Sequence, residues 1–85
     1  MHKVNITDAK YLQFYKINLM FDDGLEGIID LENMLSKSNS GVFSKLRDLN
    51  KFKDFHLENG AIVWSCNLDL APEFLHDLLI QQNQE

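Results

Sequence analysis

The residues of this chain best suited to chemistry are Cys66, three histidines and a few carboxylates. A thiol beside an imidazole can act as nucleophile and base, so Cys66 and His56 form the first pair to weigh. Zinc would use the same residue types, but His2, His56, Cys66 and His76 have no short paired spacing of the kind zinc sites show. Asp22-Asp23-Gly24-Leu25-Glu26 gathers acids without the alternating ligand pattern of a calcium loop, and turn chemistry accounts for its Asp residues. Asp30 lies between Ile29 and Leu31, and Asp69 between Leu68 and Leu70. A pair of carboxylates in a cleft beside Trp64 could do general acid–base work. The plainer reading is strand-end alternation for Asp30, helix-entry capping for Asp69 and a core position for Trp64. Asp30, Trp64 and Asp69 are therefore the candidate functional residues. No catalytic residue, metal or cofactor is assigned.

The elements that must position them centre on residues 52–79. Phe52–Glu58 and Ala61–Cys66 read as strands flanking Asn59-Gly60, the strongest short-range hairpin signal. A two-residue loop sets Phe55 opposite Trp64, His56 opposite Val63, Leu57 opposite Ile62 and Glu58 opposite Ala61. Phe55, Leu57, Ile62, Trp64 and Cys66 then share one face, with Asp54, His56, Glu58 and Ser65 on the other. His56 and Cys66 are thereby separated, which leaves Cys66 as a buried thiol. Asn67–Ala71 leads into a helix that begins at Pro72, a residue favoured at the first helical position. Its apolar stripe is Phe74, Leu75, Leu78 and Leu79, with Glu73, His76, Asp77 and Gln81 outside it.

Upstream, His2–Asp8 alternates as a short edge strand with Val4 and Ile6 on one face. Ala9-Lys10 reads as a turn and Tyr11–Phe21 as a longer strand. Asp22-Asp23-Gly24 is a second hairpin loop. Two registers compete, and a three-residue loop sorts apolar from polar better than a two-residue one. It sets Phe21 opposite Leu25, Ile17 opposite Ile29, Tyr15 opposite Leu31 and Lys16 opposite Asp30. Gly27 then faces Leu19, where a missing side chain lets another element approach closely. Leu31–Ser36 reads as a helical turn and Ser36–Gly41 as a polar loop. Ser40 is a candidate N-cap for a helix from Val42 to Leu49, with Phe43, Leu46 and Leu49 as its buried stripe.

Eighty-five residues, 45% of them hydrophobic, make one domain (1–85) with a core of its own. Thirteen acids against eight bases leave a formal charge of −5, the wrong sign for a chain whose main partner is nucleic acid. Lys45, Arg47, Lys51 and Lys53 are interrupted by Asp48 and Asp54 and read as a solvated helix edge. A single cysteine allows no internal disulfide and fits a reducing, cytoplasmic setting. No segment has the length of a membrane span or the apolar core of a signal peptide.

Taken in order, Phe21-Asp22-Asp23-Gly24, Gly27, Asp30-Leu31, Phe43, Leu46, Phe52, Trp64 and Asp69-Leu70-Ala71-Pro72-Glu73 resemble the bacterial domain of unknown function (DUF) family 2442. The resemblance spans nearly the whole chain. It implies an α+β domain, found in some bacterial proteins ahead of a helix-turn-helix and elsewhere alone, often beside a second small protein. Some such pairs have been suggested to be toxin–antitoxin modules. The chain has Ser65-Cys66-Asn67-Leu68 where the family often has Pro and Gly, and with Glu85 as its last residue no helix-turn-helix is expected.

The expected architecture is α+β: an antiparallel sheet of two hairpins plus an N-terminal strand, with two or three short helices packed mainly on one side. Edge strands and an acidic surface suit a protein partner or a homodimer rather than a substrate. The expected function is a protein–protein interaction module, with a toxin–antitoxin-like pair as its more specific form. The alternative is an enzyme or small-ligand domain using Asp30 or Asp69 near Trp64. A regulatory module for transcription is a third reading.

Overall fold

Alternating apolar residues and three tight turns produce two antiparallel three-stranded sheets in the computed structural model, which describes residues 4–37, 44–65 and 68–83. The first sheet contains β1 (Ile6–Gln13), β2 (Lys16–Phe21) and β3 (Glu26–Asp30) in that order. The second contains β4 (Phe55–Glu58), β5 (Ala61–Trp64) and β6 (Leu68–Leu70). Between the sheets in sequence lie α1 (Glu32–Lys37), a 3-10 turn (Lys45–Arg47) and α2 (Leu49–Phe52). The C-terminal helix α3 covers Pro72–Asn83 and packs on β3. The α+β class stands, with the strands divided between two sheets.

Both expected hairpins form in the expected registers. Asn59 and Gly60 have φ of 52° and 79°, as a type I′ turn requires, and Phe55 faces Trp64. In the other hairpin Ile17 faces Ile29, Leu19 faces Gly27 and Lys16 faces Asp30. Phe21 N donates to Leu25 O at 2.8 Å and Gly24 N to Phe21 O at 3.1 Å, closing the three-residue loop. Gly24 sits at φ 94°, where a side chain would be strained. A Cβ built on Gly27 would lie 3.1 Å from Leu79 Cδ1, so the close approach foreseen at this position is that of α3.

Four local readings need correction. Ala9-Lys10 is strand, because Ala9 and Tyr11 pair with Leu19 and Ile17 while Lys10 pairs with Asn18. The turn falls instead at Phe14-Tyr15, residues that carry no Gly, Pro or Asn signal, with Phe14 at φ 51°. Phe52 ends a helix and does not open the hairpin. Asp48 accepts the Asn50 N–H as N-cap of α2, and the strand starts at Phe55. Leu68–Leu70 forms β6 and is no mere approach to the helix. Leu68 and Leu70 are buried, and β5 supplies backbone partners opposite both. His76 belongs to the buried side of α3. The proposed cap Ser40, with Val42, Phe43 and Cys66, lies outside the described residues, whereas Leu46 is buried in the 3-10 turn.

One aromatic chain joins the sheets. The Phe52 ring meets Tyr11 and Tyr15 of the first sheet at 6.2 and 5.2 Å and Trp64 of the second at 6.0 Å. Arg47 fastens the connecting segment, its Nε donating to Leu35 O at 3.0 Å while its own carbonyl accepts the Tyr15 hydroxyl. The Asn5 side chain and backbone bind Asp22, and Ile6 N donates to Gly60 O at 2.8 Å, so the N-terminal segment ties both hairpin turns together.

Candidate functional site

The three candidate residues do not assemble into a chemical site. Trp64 is only 1% exposed, and its Nε1–H donates to Phe52 O at 2.6 Å, so no ring face is presented to a ligand. Asp30 ends β3, and its carboxylate accepts the Glu32 N–H at 3.0 Å at the entry to α1. Asp69 is exposed in the middle of β6, across from Val63, and does not cap a helix. The two carboxylates thus belong to different sheets. Among the described residues no three His, Cys, Asp or Glu side chains gather to hold a metal ion. His56 pairs with exposed Glu58, its neighbour on the same strand face, at 2.6 Å.

The polar contact that sequence reasoning missed is His76 with Asp23. His76 Nε2 lies 2.8 Å from Asp23 Oδ2, and its ring packs edge-on against Phe21 at 4.9 Å. An ionised carboxylate only accepts, so the proton of this bond sits on Nε2. The contact pins the start of α3 to the β2–β3 turn. Asp23 also accepts the Leu25 N–H at 3.0 Å, so one carboxylate serves both turn and helix. This is a structural clamp. The other end of α3 is held by Gln82, whose side-chain amide donates to Asp30 O and accepts from Asp30 N, each at 2.8 Å.

What the fold does present is apolar surface on regular elements. On the outer face of the first sheet Ile28 is 51% exposed, beside Met20, Asn18 and Glu26. Phe74, expected in the buried stripe of α3, is 44% exposed. Phe14 is 60% exposed at the tip of the first hairpin and is held at positive φ. Ile28 is a residue that sequence reasoning missed; the signal that could have found it is the register, which sets it opposite Asn18 on the polar face. Nothing in the local sequence marks Phe14.

These features define a small α+β domain with exposed apolar side chains on a strand and a helix, in which Asp30, Trp64 and Asp69 do not come together. A family model described as "Protein of unknown function (DUF2442)" matches residues 6–80, and the chain belongs to that family. No curated protein and no solved structure matches the chain. No helix among the described residues is long and apolar enough to cross a membrane.

Proposed function

We propose that this domain is a protein–protein interaction module. The observation that carries the reading is large apolar side chains held exposed on strands and helix, Ile28 and Phe74 foremost. Ile28 stands on the outer face of the first sheet and Phe74 on α3, which packs on the Gly27 side, so each offers an apolar contact on a regular element. The acidic balance of the chain favours a partner with basic residues around its contact. A second small protein, as in the toxin–antitoxin-like pairs that the family resemblance implies, is the partner we put first.

Affinity capture from the native cell tests the reading. The wild-type chain and a Met20→Lys/Ile28→Lys variant are immobilised side by side, and retained proteins are identified. The expected result is one protein held in near-stoichiometric amount by the wild type and lost from the variant. Equal retention by both would remove the outer sheet face from the reading, and no retained protein at all would overturn it.

A further inference from the structure

The backbone of β3 has one satisfied side and one open side. Phe21 N donates to Leu25 O, and Leu31 N donates to Tyr15 O at 3.0 Å, which fixes the alternation of the β2–β3 ladder. The hydrogen-bonded pairs are therefore Leu19/Gly27 and Ile17/Ile29, and the N–H and C=O groups of Glu26, Ile28 and Asp30 point away from β2. At Asp30 the Gln82 amide already makes the two bonds that a neighbouring strand would make. At Glu26 and Ile28 no described residue takes that place.

Helix α3 supplies a wall above this edge. It runs in the same direction as β3, since His76 meets Asp23 before the strand begins and Gln82 meets Asp30 at its end. Phe74, Leu78 and Gln82 follow one another at four-residue steps and so share one flank of the helix. Gln82 shows that this flank overlooks the open edge. Each helical step climbs about 6 Å, close to the ~6.7 Å between alternate strand residues, so Leu78 and Phe74 keep pace with Ile28 and Glu26. Leu78 is half-buried and Phe74 exposed, an apolar wall without a cover among the described residues.

We propose that the groove between the β3 edge and the Phe74–Leu78 flank of α3 takes an extended segment of a partner protein as a fourth, antiparallel strand. The proposal rests on the interaction-module reading and gives it a site. Alternation dictates what the segment must carry. Its residue across from Glu26 is Lys or Arg, its residue across from Ile28 is β-branched and apolar, and the side chains between and beyond them, facing α3, are apolar. A second copy of this chain does not fit. Two-fold pairing of β3 edges would set the strands about 4.8 Å apart while each carries a helix about 10 Å wide over the same edge. The occupant is a strand whose helix-facing side is bare.

The test titrates the 15N-labelled full chain with the acetylated, amidated hexapeptide Thr-Val-Leu-Lys-Leu-Thr. The expected result is a shift and slowed hydrogen exchange of the Glu26 and Ile28 amides, with the Asp30 amide, held by Gln82, unmoved. Exchanging Lys for Glu in the peptide should weaken binding about fivefold at low salt, as a cross-strand charge reversal does. N-methylation of the peptide Val and Lys should abolish it. Phe74→Ala, an exposed change that spares the core, should weaken it as well. Ile28→Pro removes an outward N–H without touching the β2 ladder and should prevent docking. Equal affinity for the Lys and Glu peptides, or no response of the Glu26 and Ile28 amides at millimolar peptide, overturns the proposal. So do shifts of these amides with protein concentration alone, which would make the occupant a second copy. If capture still yields a partner whose footprint lies at Phe14, the groove fails and the interaction reading stands. If capture yields none either, both fail.

Discussion

Gly60→Ala should destabilise the domain by more than its turn geometry alone explains. Gly60 has φ 79°, and an alanine in the left-handed region costs ~1–2 kcal/mol. Its new Cβ would also stand 2.5 Å from Asn5 Oδ1 and 2.7 Å from Asn5 Cβ, well inside van der Waals contact. Relieving that overlap means moving the segment that binds Asp22 and donates Ile6 N to Gly60 O, an overpacking cost of about 1–3 kcal/mol. The sum, about 2–5 kcal/mol, is a large share of the stability of a domain this size. Gly24→Ala is the internal control. Gly24 has φ 94° with nothing within 4 Å of the added atom, so it reports strain without overlap. Urea denaturation followed by circular dichroism should place Gly60→Ala at least ~1 kcal/mol below Gly24→Ala, the lower end of the overpacking range. Asn5→Gly in the Gly60→Ala background should recover part of the difference, a coupling that a double-mutant cycle measures. Equal losses for the two glycine variants, or no coupling to Asn5, would refute the packing of the N-terminal segment across this turn.

Trp64→Ala should cost roughly 3–5 kcal/mol, since it empties the core and orphans the Phe52 carbonyl, and the folded wild type should show blue-shifted indole emission. Water-like emission would contradict the burial. His76→Leu keeps the bulk but removes the His76 contact to Asp23 Oδ2. It should lower stability by ~1–2 kcal/mol in urea melts, and a neutral outcome would show that the clamp contributes nothing. Gln82→Ala should speed exchange of the Asp30 amide while leaving that of Ile29 unchanged, which hydrogen-exchange NMR resolves. If the β3 groove takes a partner strand as proposed, a two-fold homodimer uses another surface. Ile80, exposed on α3, is the seam to test, and sedimentation equilibrium of Ile80→Glu should return a monomer mass. A dimer persisting in that variant would place the seam elsewhere.

Local chemistry determined the two hairpins. Asn59-Gly60 and Asp22-Asp23-Gly24 each set a loop length, loop length sets register, and register sorts Ile17, Leu19, Ile29, Ile62 and Trp64 to the inside. The same logic placed Gly27 where another element would approach. The sequence could not announce the Phe14-Tyr15 turn, because its partners are a strand pairing and not turn residues. Nor could it show that Leu68–Leu70 is a strand, since three residues hold that conformation only through β5. His76 looked polar and therefore outward. Only packing brought Phe21 and Asp23 to it, giving a buried imidazole the partner that burial requires. The candidate site divides the same way. Periodicity puts Phe74, Leu78 and Gln82 on one flank of a helix, but which strand edge that flank overlooks depends on contacts between residues 52 positions apart in the chain. Short-range spacing specifies turns and faces. The meeting of faces is a long-range choice made by the burial of the whole core.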